Sequence, residues 1–140
     1  MVLDTNVIYA ALRSTMGASY ALLDKLDAGE FEAVISTALV LEYDDVLNRP
    51  GALKLDAQTI ADVLDYLCDI SRPQIIYFLW RPQLRDPKDD MVLELAANAG
   101  CDYIVTFNLR DFIGSERFGV RAITPGAFLA LLNHFTGGPA

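Results

Sequence analysis

Apolar residues along this chain fall into two patterns: short unbroken runs, and longer stretches with helical spacing. The runs Val2-Leu3, stopped at Asp4, and Ala33-Val34-Ile35, stopped at Ser36, predict strands over 2–4 and 32–36. Three more strands are expected over 75–79, 102–106 and 120–123. Helical spacing predicts helices over 19–28, closed by Gly29, and over 37–47, broken by Asn48-Arg49-Pro50-Gly51. Others are expected over 56–71 ahead of Pro73, from Asp86-Pro87 to Gly100, and from Pro125 onward. Asp4 also suits the N-cap of a short helix through Ile8, Ala11 and Leu12.

Strands alternating with helices imply an α/β fold: a three-layer α/β/α domain around a central, mostly parallel twisted sheet of about five strands. No internal repeat and no linker rich in Gly, Ser or Pro interrupts it, so a single domain is expected over 1–136, with 137–140 as a disordered tail. Ligands of such sheets bind beyond the carboxyl ends of the strands. Asp4 closes the first strand, and Thr106, Asn108 and Asp111 follow a later one, so chemistry is expected there.

Composition then narrows that chemistry. With 53% hydrophobic residues in a chain of 140, a substantial core is possible. No apolar run reaches the ~20 residues of a membrane span, and the first residues read as a strand rather than a leader, so a cytoplasmic protein is expected. Cys68 and Cys101 have no Cys or His at zinc-like spacing, and His134 is the single histidine. Zinc sites, Cys-His nucleophiles and Ser-His-Asp triads are therefore disfavoured. Carboxylates remain: 19 Asp plus Glu against 11 Lys plus Arg, a net charge of −8. Such a surface repels phosphate, so a nucleic acid would have to be held through bound cations and local arginines.

Four carboxylates stand out by position. Asp4 is at a strand end. Glu42 falls within the apolar stripe Leu39, Tyr43, Val46 and Leu47, where a carboxylate is costly unless paired, protonated or bound to metal. In Arg85-Asp86-Pro87-Lys88-Asp89-Asp90, Asp86 suits the N-cap, Pro87 the first helical position and Asp89 the third. Asp90 is left over and shares a face with Leu93 and Ala97. Asp111 follows Asn108 in what would otherwise read as a turn. Acids gathered in one cleft repel one another, and hard divalent cations such as Mg²⁺ or Mn²⁺ relieve this with oxygen ligands alone. One or two such ions could promote hydrolysis of a phosphodiester, with Thr5 or Thr106 orienting a water or ligand and Arg110 and Arg13 as candidates to hold phosphate. Phosphoacceptor receiver domains and haloacid-dehalogenase-type phosphatases are disfavoured, because both need a late lysine and Lys88 is the last here.

The segments Leu3-Asp4-Thr5-Asn6, Glu42 after the second strand, Asp90 leading Leu93-Glu94-Leu95-Ala96, and Thr106-x-Asn108-x-x-Asp111-Phe112 together resemble the PIN-domain ribonucleases. The Asp86 to Asp90 segment is similar to that of the VapC-like toxin components of type II toxin-antitoxin systems. The resemblance covers nearly the whole chain. It implies a PIN-like fold and a catalytic quartet of Asp4, Glu42, Asp90 and Asp111, with Asp4, Asp90 and Asp111 on metal. Asn6, Thr5, Thr106, Asn108, Asp86 and Asp89 would support them, and Asp86 and Asp89 remain alternatives for the third ligand. It further implies Mg²⁺ or Mn²⁺, an RNA substrate, a homodimer and inhibition by a cognate small antitoxin. Many relatives carry Asp where Asn108 stands, which lowers the local negative charge here.

A rival expectation is a PIN-fold protein-binding module or an RNA-processing factor without a toxin role. Phe128, Leu129, Leu131, Leu132 and Phe135 offer the last helix more apolar faces than one core contact needs, and Trp80 lies beside Arg81 and Pro82. Ordinary core packing is the plain alternative for these residues.

Overall fold

The structure, a computed structural model, describes residues 1–76, 84 and 86–136, without the side chains of 135 and 136. Its elements run β1 (Val2–Leu3), α1 (Thr5–Arg13), α2 (Ala18–Asp27), β2 (Val34–Ile35), α3 (Thr37–Leu47), α4 (Ala57–Ile70) and β3 (Arg72–Pro73). They continue through α5 (Pro87–Asn98), β4 (Tyr103–Val105), two 3₁₀ turns (Leu109–Phe112 and Ser115–Phe118), β5 (Arg121–Ile123) and α6 (Pro125–Thr136). Except for α2, which starts after Gly17 without a side-chain cap, the helices start where side chains satisfy the orphan amides of a first turn. Ser36 Oγ accepts from Leu39 N–H, Asp56 Oδ1 from Thr59 N–H, and Asp86 Oδ1 from Lys88 N–H, with Pro87 in the first turn of α5. Gly100, at φ +70°, ends α5 in a backbone conformation that a side chain would strain.

The strands β1, β4 and β5 form a parallel sheet with β4 in the middle, and β2 and β3 form a parallel pair. Val34 N–H donates to Met1 O at 2.8 Å, which stitches β2 to the outer edge of β1. The expected α/β domain with a parallel sheet is thus present, with α5 packed across β1, β2 and β4. The third strand is not where the apolar run suggested. β3 is Arg72–Pro73, held by Arg72 N–H to Ala33 O and Gln74 N–H to Ile35 O, whereas Ile75 and Ile76 form no strand and 77–79 lie outside the described residues. Pairing with β2, not local hydrophobicity, selected the strand.

The core joins Val2, Leu3, Val34, Ile104 and Val105 of the sheet to Leu22, Leu39, Leu93, Leu95, Phe112 and Phe128 of the surrounding helices and turns. Phe128 packs edge-on against Phe31 and Tyr103, with centroids 5.2 and 5.8 Å apart. Phe128 and Leu132 are buried and Leu129 partly so, which makes this face of α6 ordinary core. Trp80, the Phe135 side chain and the tail 137–140 lie outside the described residues. Among the described residues no helix is long and apolar enough to cross a membrane. Cys68 and Cys101 are free.

Candidate active site

At the carboxyl ends of β1 and β4 the chain must turn, and the polar residues placed there interlock. Asp4 caps α1: its Oδ1 accepts from Thr5 N–H at 2.9 Å, while its Oδ2 accepts the Thr106 hydroxyl at 2.7 Å and Asn6 Nδ2 at 3.4 Å. Thr106 is fully buried, and its Oγ1 accepts in turn from Asn108 N–H at 3.0 Å and Asn6 Nδ2 at 3.4 Å. Asn6 Oδ1 receives Phe107 N–H at 3.3 Å. This network ties the end of β1 to the end of β4 and fixes the Asp4 carboxylate. From behind, Tyr43 donates its hydroxyl to Leu3 O; burial pushes that phenol far above its ordinary range, so it stays a donor.

Beside this network lies a cleft of about 300 Å³ lined by Asp4, Glu42, Asp86, Asp89 and Asp111, with Thr5, Asn6 and Asn108 among its other walls. Glu42 comes from α3 and is mostly covered, with 18% of its side chain exposed. Its partner is Lys88 of α5, Nζ to Oε1 3.6 Å, while Arg49, the nearest cation in sequence, pairs with Asp45 one turn away. Asp111 sits in the 3₁₀ turn that follows β4, braced by its own N–H to Asn108 O. Asp89 enters from the first turn of α5.

Of the three acids in the Asp86 to Asp90 segment, the two kept as alternatives for the third ligand line the cleft. Asp90 does not line the cleft: its Oδ1 accepts Leu84 N–H at 2.9 Å, so it braces the approach to α5. Asp86, Asp89 and Val92, spaced by three, share the cleft-facing side of that helix, and one residue's step of rotation carries Asp90 off it. Asp89 therefore joins Asp4, Glu42 and Asp111. Arg13 and Arg110 do not line the cleft either; each lies in an adjoining hollow. His134 is exposed on α6 and takes no part. Lys88 and Tyr9 line the cleft without having been singled out from sequence. The signal for Lys88 was available, as the cation set between Asp86 and Asp89.

Electrostatics record the crowding. Burial pushes the Asp89 carboxyl up to about 7, with further upward push from Asp111, Asp4, Asp86 and Asp90. Burial also raises Asp4, against the hydrogen bonds from Thr106 and Thr5, and the charges of Asp111 and Glu42 add to the rise. A divalent cation fits this donor set chemically, because every available ligand is a hard oxygen and the surplus negative charge is what such an ion neutralises. Among the described residues no three acidic, His or Cys side chains are drawn tightly enough to surround one ion as they stand.

A pH signature follows. Asp89 has its folded pKa above the ordinary carboxyl range, so the folded state holds the extra proton and stability is lost as pH rises from about 4 through about 7. In chelator-treated protein, Asp89→Asn, which carries no such charge, should gain melting temperature relative to the parent across that interval. Added Mg²⁺ should narrow the gap. A gap independent of pH would show that Asp89 is not crowded by its neighbours.

With this geometry in place, comparison with known proteins adds one finding. A family model described as PIN domain matches residues 1–110, a span that contains Asp4, Glu42 and Asp89 and ends one residue before Asp111. No curated protein matches the chain.

Proposed function

The chain belongs to the PIN-domain family, whose members are generally nucleases, and from that premise we propose that it is a metal-dependent endoribonuclease acting as the toxin of a toxin-antitoxin pair. The observation that carries this reading is the convergence of Asp4, Glu42, Asp89 and Asp111 on one cleft at the carboxyl edge of a parallel sheet.

Asp4, Asp89 and Asp111 are the residues that would hold Mg²⁺ or Mn²⁺. When bound, the ion supplies charge stabilisation to the phosphodiester undergoing hydrolysis. The chain's own part is positional. Thr106 and Thr5 hold both oxygens of Asp4, so that its carboxylate does not have to reorganise during the reaction. Asn108, exposed at the rim, offers an amide to substrate oxygens without adding another negative charge. Glu42 is the acid that α3 brings to the cleft, suited to accept a proton from an attacking water, and Lys88 restrains it.

The antitoxin, and the second copy in a homodimer, are part of the same proposal, set in the cytoplasm. A partner surface is favoured by an apolar hollow of about 520 Å³ between α3 and α4, where Leu41 and Ile75 are 63% and 67% exposed. The same hollow favours the second reading, a protein-binding module with weak catalysis.

Purified protein free of any co-purified partner should cleave labelled RNA in Mg²⁺ or Mn²⁺ and stop when the cation is chelated. Absence of cleavage across RNAs of different structure, together with no calorimetric binding of Mn²⁺, would replace the nuclease reading by the binding module.

A further inference from the structure

We infer that Arg13, Lys54 and Tyr9 form a second subsite that holds a single-stranded RNA beside the acidic cleft, an inference that rests on the ribonuclease reading above. These residues line a hollow of about 490 Å³ between α1 and the segment that follows α3. Tyr9 lines both this hollow and the acidic cleft, so the two concavities adjoin along one wall.

The hollow is built rather than incidental. Tyr9 donates its hydroxyl to Ala52 O at 3.0 Å, which pins the segment carrying Lys54 onto α1. Gly51, at φ +77°, makes the turn that lets this segment return. The Arg13 guanidinium lies over the Tyr9 ring, 5.9 Å from its centroid.

The hollow brings two exposed cations together on one side of the acidic cleft. In a chain of net charge −8, Lys25, Arg49, Arg72 and Lys88 are each paired with a carboxylate. Arg13 and Lys54, like Arg110, Arg117 and Arg121, have no carboxylate within ion-pair distance among the described residues; these two line one hollow together, and both are exposed. They create a local positive field next to a cleft that otherwise repels phosphate. The floor between them, Leu12 and Leu53, is apolar and partly buried.

Cations above an apolar and aromatic floor match a nucleotide, with phosphate on the cations and sugar or base on the floor. A phosphodiester strand carries a charge at every step. One phosphate can therefore enter the cleft while a neighbour meets Arg13 and Lys54. An acidic peptide would gain the cations but nothing from a cleft walled by carboxylates.

The test is Arg13→Gln with Lys54→Gln in the full chain, read on a labelled single-stranded oligoribonucleotide. KM should rise on the order of tenfold with kcat changed by less than about twofold, and the slope of log affinity against log salt should shrink by about 0.7 for each contact removed. Melting temperature checks that folding is retained. Unchanged KM and salt slope, beside a wild type that cleaves, overturn the subsite and leave the nuclease reading standing. If the wild type cleaves nothing, that reading falls, and fluorescence anisotropy on the same RNA decides the subsite: weaker binding by the double variant supports it, equal binding overturns it. Loss of polyglutamate binding with RNA binding intact assigns the hollow to an acidic protein segment and overturns it as well.

Discussion

Asp89→Asn should lower kcat/KM for RNA on the order of 10³-fold, while Asp90→Asn should stay close to the parent. The two side chains are adjacent in sequence and chemically identical, so the contrast isolates geometry. Asp89 lines the cleft and feels Asp111 and Asp4, which together with burial push its carboxyl up to about 7. Replacing it removes a charge aimed at the reacting centre, and preorganised groups of that kind are worth about 10²–10³ in rate. Asp90 instead accepts Leu84 N–H from outside the cleft. Its amide replacement keeps an acceptor oxygen at that position, so the hydrogen bond to Leu84 N–H should survive. Steady-state cleavage by the two variants, each with a melting curve, measures both quantities. A larger loss in the Asp90 variant would return the third acid to the position that sequence spacing chose.

The second large effect concerns the turn that presents Asp111. Phe112→Ala should destabilise the protein by about 3–5 kcal/mol, the range for removing a buried aromatic ring and leaving a cavity. Phe112 is 1% exposed, and its 3₁₀ turn packs against both α5 and β5. The ring therefore anchors the turn, and Asp111 projects from the residue before it. Urea unfolding should register the loss as a lower midpoint with an unchanged slope. Activity corrected for the folded fraction should fall too, because a loosened turn no longer holds Asp111 over the cleft. Phe112→Leu, which keeps most of the apolar volume, should restore much of both. Full specific activity in a destabilised Phe112→Ala would mean that Asp111 is positioned by other contacts.

Much of the fold was legible in the sequence because the signals were local. The bounds of α3 are those expected, 37–47, since Ser36 caps its start and Asn48-Arg49-Pro50 breaks its end. The start of α5 followed from Asp86-Pro87, and its end from Gly100 at positive φ. Asp4 was placed by the same kind of reasoning, at a strand end that is also a helix cap. A turn was legible at Asn108 to Asp111, but its 3₁₀ form and the second turn at Ser115–Phe118 were not, because single turns carry no periodicity to read.

What local pattern left open was decided by contacts distant in sequence. β3 lies at Arg72–Pro73 because that is where the backbone meets β2, and an exposed Arg-Pro pair has no strand signal of its own. Glu42 was expected to need a partner, but its cation arrives from α5, 46 positions later in the chain. Spacing favoured Asp90 over Asp89 without deciding between them, since α5 buries Val92, Leu93, Leu95 and Ala96, a broad arc with an acid leading either side of it. Residue types and order therefore determined that this chain would build an α/β domain with acids at its sheet edge. Which acid faces the cleft, and which cation meets Glu42, depended on how α5 is rotated against β1, β2 and α3, a packing angle that no helix encodes alone.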